Sequence, residues 1–280
     1  MQFSLQPADH TLRLSKINPR GGDGIDPGAI EPKTKADLKR LDDLCYLMYA
    51  EDRHALLVIL QGIDASGKNS TTKHIAKGVN PDGLQVHSFK KPSELEIEHD
   101  YLWRIHKVAP HRGNVAVFNR SHYEEVIVTR IHPEILSAQH LPTNIANDPE
   151  IFQKRYRHIN DFERMLAENG TVIVKLLLHI SKEEQVQRFR ERLENPKKHW
   201  KFSEDDLDER RHWDDYMRTF EEVIHATSTE WAPWYVIPAD QKWYRNWLIG
   251  RILVEQLEKL DMRFPTFENH KVRLEQLAQV

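Results

Sequence analysis

The stretch Leu56-Leu57-Val58-Ile59-Leu60-Gln61-Gly62-Ile63-Asp64-Ala65-Ser66-Gly67-Lys68-Asn69-Ser70-Thr71-Thr72 restricts what this chain can fold into more than any other. An unbroken apolar run enters a loop bracketed by Gly62 and Gly67, and a lysine and a helix-capable segment follow. A short apolar run between turn residues reads as a strand buried on both faces, as in a parallel sheet. The two glycines let the loop fold back so that its N–H groups point inward. With the positive end of the next helix, those groups make a cradle for an anion. Lys68 reaches over the phosphates as a point charge. Gly-x-x-x-x-Gly-Lys is most of a Walker A loop, so Gly62, Ala65, Ser66, Gly67, Lys68, Asn69 and Ser70 are the expected phosphate-binding residues.

Two positions depart from the common pattern. Asn69 stands where a Ser or Thr usually binds magnesium. Asp64 places a carboxylate inside an anion cradle, where it repels phosphate unless a divalent cation lies between them. Asp64 therefore reads as a metal ligand or a close neighbour of the metal, against the plainer reading of a turn-capping Asp.

The remaining chain alternates strands with helices, the pattern of a parallel sheet with helices on both faces. Residues 1–32 are rich in Pro and Gly and read as an extension over the surface, ahead of a single domain spanning 33–280. Leu38, Leu41, Leu44, Cys45 and Met48 mark an amphipathic helix over Lys33–Arg53. A helix is expected from Lys68 to Lys77, ending at Gly78. Strands are expected at Leu84–Phe89, Asn114–Phe118, Thr171–His179 and Trp234–Ile237. A capping box at Ser93–Glu96 opens a helix through Trp103 and His106. Further helices are expected over Phe152–Asn169, from Ser181 to a break at Pro196, from Ser203 onward, and over Trp243–Met262.

Composition excludes some functions. The 280 residues carry a net charge of −3, so bulk charge does not mark a nucleic-acid or membrane-surface binder. No apolar run approaches the roughly 20 residues of a membrane span, and no signal segment is evident at the N-terminus. The single cysteine, Cys45, rules out an intrachain disulfide and fits a reducing cytoplasm. The aromatic segments Trp231–Tyr235 and Trp243–Trp247 read as core and strand edge, with a weak hint of self-association in their apolar content.

Three further clusters carry chemistry. Asn119-Arg120-Ser121-His122-Tyr123-Glu124 follows a buried strand, at the sheet edge where ligands of open α/β sheets bind. An Asp in the place of Asn119 would supply a carboxylate to magnesium. The neutral amide shifts that demand to Asp64 and makes Glu124 a second candidate. Arg120 reads as a bidentate phosphate ligand or a structural ion pair. His122 reads equally as a substrate contact or a packing residue. Lys90 and Lys91 follow another strand, at the same edge or in a solvated turn. From Arg188 to Lys201 the chain holds Arg188, Arg190, Arg192, Lys197, Lys198 and Lys201 around a break at Asn195-Pro196. This is either a charged surface helix or a lid, placed at about 181–215, that closes over phosphates and excludes water.

Taken together, the Asp within the Walker A loop, the Asn-Arg-Ser-His-Tyr-Glu motif and the basic lid closely resemble the polyphosphate kinase 2 family, and that motif resembles its class III subgroup. Asp100–Arg104, Lys154–Ile159 and Trp234–Ala239 fit the same subgroup, and the resemblance covers about residues 33–262. It implies a P-loop kinase-like three-layer fold and phosphoryl transfer from inorganic polyphosphate to AMP and ADP with Mg2+, for which Mn2+ is an expected substitute. It implies Asp64, Lys68, Arg120 and the lid arginines Arg188 and Arg192, with Lys198, as handlers of phosphate and magnesium. Asn119, His122 and Glu124 fall on the nucleotide side. Asn69 departs from the Asp frequent after the loop lysine.

Inorganic polyphosphate and adenine nucleotides are thus the expected partners of a cytoplasmic homo-oligomer, without nucleic acid or membrane. Lys90, Lys91 and Arg104 are the expected groove for the distal phosphates. The rival readings are an ATP-dependent nucleotide kinase of the thymidylate kinase type and a non-catalytic polyanion-binding protein.

Overall fold

A computed structural model describes residues 7–278. Strands β1 Ala55–Gln61, β2 Leu84–Ser88, β3 Val115–Asn119, β4 Thr171–His179 and β5 Trp234–Pro238 form one sheet in the order β2-β3-β1-β4-β5. Every neighbouring pair is parallel. β1 lies at the centre with each residue buried, so its sequence is apolar on both faces and does not alternate. β2 is an edge strand, and its Val86 is exposed.

Helices form a layer on each face. Pro27–Glu51 packs along Lys242–Glu258, which also meets the helix Lys68–Ile75. Glu124–Ile131, Ile151–Glu168 and Trp213–Thr227 pack together as the other layer. The α/β fold with a parallel sheet between helical layers is the one expected. Ile151–Glu168 buries Ile151, Arg155, Tyr156, Ile159, Phe162, Glu163 and Leu166, the spacing of one helical face.

Several local expectations change. The first long helix begins at Pro27, where Asp26 caps the Gly28 N–H at 3.0 Å, so Pro32 lies inside it. Upstream, Ala8 N–H donates to the Trp234 carbonyl at 2.7 Å, and Leu14 is buried. The helix expected from Ser93 through His106 is two single turns, Glu94–Ile97 and Trp103–His106. Its opening capping box forms, but Asp100 accepts from Leu102 N–H at 2.9 Å and starts the chain anew. The segment after Pro196 is a broken series of short turns, Pro196–Lys201, Asp205–Glu209 and Arg210–His212, before Trp213–Thr227 begins. Trp234, Tyr235 and Trp247 are buried and belong to the core, while Trp231, Trp243 and Tyr244 are half-buried against it.

Candidate active site

At the C-terminal end of β1 the chain turns through Gly62 at φ 148°, Ala65 at φ 62° and Gly67 at φ 106°. A side chain at position 62 would come within 2.8 Å of the Leu178 carbonyl and of Ser66 Oγ, so both backbone shape and space demand glycine there. Gly67 is the N-cap of Lys68–Ile75, which aims the positive end of that helix into the loop. Lys68 folds back, and its Nζ donates to the carbonyls of Gly62 at 2.6 Å and Ile63 at 3.1 Å. Burial, with Arg120 adding to it, pushes the Lys68 ammonium down to about 8, while Asp64 opposes.

β3 ends beside this loop. Asn119 Nδ2 donates to Asn69 Oδ1 at 2.5 Å, so two neutral amides satisfy each other where a metal-binding hydroxyl and carboxylate would otherwise stand. Arg120 follows with φ 64°, a left-handed conformation that a non-glycine residue holds only when its surroundings enforce it. Here the Arg120 N–H is anchored on the Leu60 carbonyl at 3.1 Å. Its guanidinium spans two acids: Nη2 lies 2.8 Å from Asp64 Oδ1 and Nη1 lies 3.3 Å from Glu124 Oε2. Glu124 raises the arginine's pKa first, burial opposes, and Asp64 adds to the rise. These residues line a cleft of about 310 Å³. Its far wall comes from Asp206, Arg210 and Trp213 of the expected lid and from Tyr216 just after it.

Asp64, Lys68, Asn69, Asn119, Arg120 and Glu124 thus come together at the ends of β1 and β3. Other expected site residues do not join them. His122 is fully buried, with Nε2 3.3 Å from Glu163 Oε1, so it is a packing residue and not a substrate contact. Arg188 is not free to reach into the cleft. It is 7% exposed, and its guanidinium donates to the carbonyls of Ala65, Ser66, Ala239 and Asp240 and pairs with Glu184. Arg188 therefore braces the loop from behind. Arg192 pairs with Asp206 at 2.6 Å, and Lys198 pairs with Glu191 at 3.1 Å. Lys90 and Lys91 are exposed after β2. Arg104 is buried in the wall of a second cavity of about 400 Å³, where it donates to the Lys90 carbonyl at 2.9 Å and faces Glu125 at 3.6 Å. Its charge is committed internally, so Lys90, Lys91 and Arg104 do not form one open cationic groove.

The structure adds residues that motif reading passed over. Gln185 Nε2 donates to the Asp64 carbonyl at 3.0 Å, and Arg210 holds Gln185 Oε1 at 2.6 Å. Arg210 was visible as the start of Arg210-Arg211-His212 inside the expected lid, whereas Gln185 carries no sequence signal. Tyr216 donates to Glu209 at 2.7 Å and, with Trp213 and Phe220, gives the cleft an aromatic side.

The low Lys68 pKa has a pH consequence. With a pKa of about 8, Lys68 is expected to lose this positive charge above that pH when no phosphate is bound beside it. An anionic donor must then bind with less electrostatic help, so kcat/KM for the donor is expected to fall through that pH. Because bound phosphate favours the charged lysine, kcat should fall later than kcat/KM. Parallel pH profiles of the two parameters check this, and coincident profiles would rule it out.

Comparison with known proteins gives concordant results. The family model described as polyphosphate kinase 2 (PPK2) matches residues 30–265. The chain is 47% identical over 267 residues to a protein of Meiothermus ruber named AMP/ADP-polyphosphate phosphotransferase, covering 94% of this chain and 95% of that one. It is 45% identical over 246 residues to the ADP-polyphosphate phosphotransferase of Rhodopseudomonas palustris, covering 88% and 84%. The crystal structure of Polyphosphate Kinase 2 from Arthrobacter aurescens TC1 superposes with a TM-score of 0.90 at 36% identity, covering 98% of this chain and 95% of that one.

Proposed function

The chain belongs to the polyphosphate kinase 2 family, and on that premise we propose that it moves the terminal phosphoryl group of inorganic polyphosphate to AMP and ADP with Mg2+. The observation that carries this reading is the row Asp64–Arg120–Glu124 set against the Gly62–Gly67 loop. Alternating charge at a phosphate cradle suits a reaction in which donor and acceptor are both polyanions.

Asp64 is the residue that would hold the metal. Among the described residues no group of three or more His, Cys, Asp or Glu side chains is gathered as a ligand set. Mg2+ suits such a site, because it keeps several waters and takes one or two carboxylates plus substrate phosphates. Asp64 Oδ1 faces Arg120 at the cleft, and Glu124 supplies a second carboxylate on the same guanidinium. Bound there, Mg2+ or Mn2+ would neutralise phosphoryl oxygens and screen Asp64 from them.

The residues of the chain do the rest. The acceptor oxygen of AMP or ADP is already an anion, so no general base is needed, and positioning with charge neutralisation carries the transfer. Donor phosphate replaces the Gly62 and Ile63 carbonyls as the partner of Lys68, which then faces the transferred group. Arg120 binds the equatorial oxygens and Arg210 faces the cleft from the lid. Trp213, Tyr216 and Phe220 offer the nucleoside an apolar side.

Incubating the protein with AMP, Mg2+ and polyphosphate, without ATP, tests the reading. ADP and then ATP are the expected products. Turnover only with a nucleoside triphosphate donor would make it a nucleotide kinase, and binding without turnover would make it a polyanion-binding protein. Among the described residues no helix is long and apolar enough to cross a membrane. The buried free thiol of Cys45 suits work in a reducing cytoplasm. Self-association is part of the same proposal, and light scattering of the purified chain decides it.

A further inference from the structure

Arg245 stands in the first turns of Lys242–Glu258, directly behind the Gly62–Gly67 loop. It is 1% exposed. Its Nε and Nη2 both donate to Asn246 Oδ1, at 3.1 and 2.8 Å, while Nη1 has no hydrogen-bond partner. That unpartnered nitrogen is aimed at the N-cap of Lys68–Ile75: a Cβ placed on Gly67 would stand 2.4 Å from Arg245 Nη1 and 3.5 Å from Arg188 Nη1. Among the described residues no carboxylate lies within ion-pairing distance of Arg245, and the neighbouring charge is another guanidinium. Burial, with Arg188 adding to it, pushes the Arg245 pKa down to about 10. The hydroxyls of Ser66 in the loop and of Thr71 in the helix that follows it are also buried without partners.

A buried cation with no anion beside it destabilises the fold that contains it. Such an arrangement has a use where a polyanion docks a few ångströms away, because the field of the guanidinium passes through one layer of backbone with little water to screen it. We propose that Arg245 is a positioning residue for the donor: it holds positive charge behind Gly67 that the phosphate chain, and no side chain of the protein, neutralises. This rests on the polyphosphate reading above. It assigns donor affinity to a residue outside the cleft, one that does not touch the reacting atoms.

The test compares wild type, Arg245→Met and Arg245→Lys. Calorimetry measures binding of inorganic tripolyphosphate without nucleotide at two salt concentrations, and steady-state assays give separate KM values for polyphosphate and AMP. Arg245→Met is expected to bind tripolyphosphate about tenfold more weakly, with a shallower salt dependence. Its KM for polyphosphate should rise while its KM for AMP stays within about twofold, and its Tm should not fall, since an unpaired buried charge has been removed. Arg245→Lys should recover most of the affinity. If Arg245→Met does not fold, Arg245→Gln, which retains a donor toward Asn246, is read in the same way. Unchanged tripolyphosphate binding overturns the proposal. So does an equal rise of both KM values with a lowered Tm, which would make Arg245 a structural prop. Loss of the polyphosphate reading shows separately, as wild-type protein that binds tripolyphosphate but does not turn over polyphosphate.

Discussion

Asp64→Asn is expected to lower turnover with polyphosphate and AMP by roughly 10²–10³-fold, the usual cost of removing one electrostatic element preorganised for the transition state. The substitution conserves shape. The amide that replaces the carboxylate would still offer an oxygen to Arg120 Nη2, which lies 2.8 Å from Asp64 Oδ1, and Arg120 keeps Glu124 as its other partner. Asp64 is part-exposed at the cleft and contributes nothing to the core, so Tm should move little. What disappears is the negative charge that makes a divalent cation welcome inside an anion cradle. The variant should therefore require more Mg2+ to reach its residual rate. A thermal scan with a Mg2+ titration of the rate checks all of this, and a near-wild-type rate at ordinary Mg2+ would remove Asp64 from the metal site.

Lys175→Met is expected to destabilise the fold by about 3–5 kcal/mol, the cost of leaving one member of a buried ion pair alone, or roughly 10 °C in Tm. Lys175 and Glu163 are both fully buried, with Nζ 2.6 Å from Oε2. The ammonium also donates to Tyr123 Oη and the Thr227 carbonyl, each at 2.7 Å, and Tyr123 Oη donates to Glu163 Oε1 at 2.8 Å. Burial pushes the Glu163 carboxyl up, but Lys175 and then His122 outweigh it and hold it below its ordinary 4.5. The sign follows from linkage. A depressed native pKa contributes stability that is fully present above pH 4.5 and is lost as pH falls through the native value. Lys175→Met should therefore weaken the acid sensitivity of the fold as well as lower its stability at neutral pH. The double variant Lys175→Met/Glu163→Leu should be more stable than Lys175→Met alone, because it leaves no orphan charge. Chemical denaturation of wild type, Lys175→Met, Glu163→Leu and the double variant measures the coupling, and simple additivity would show that the pair does not act as a unit. Tyr123 joins this network to the Asn119–Glu124 turn, so loss of the pair should reach activity through the seating of Arg120.

Much of this was legible along the chain because it is written in local terms. β1 announces itself as an apolar run, and the turn after it through the spacing of Gly62, Gly67 and Lys68. The carboxylate of Asp64 is legible as an anomaly within seventeen consecutive residues, 56–72. The Asn119–Glu124 cluster follows its own apolar strand. Backbone geometry, side-chain period and charge at a single loop depend on neighbours in sequence, and there sequence reading suffices.

Where a cation finds its counter-charge is not a local property. Arg188 reads from sequence as a lid arginine, yet the fold seats it beneath the loop on four backbone carbonyls. Arg104 reads as part of an open groove but is buried against Glu125 and Phe89. His122, between Ser121 and Tyr123 in a catalytic-looking motif, points into the core toward Glu163 of the helix Ile151–Glu168. Lys175 sits in the apolar run Val174–Leu178, and its partners Glu163, Tyr123 and Thr227 are set beside it only when helix layer and sheet close together. The chain by itself determined which strand carries the loop and what chemistry the loop suits. Tertiary structure alone decided which charges face the cleft and which are neutralised inside the protein, because Coulomb energy and desolvation depend on distances that only packing creates.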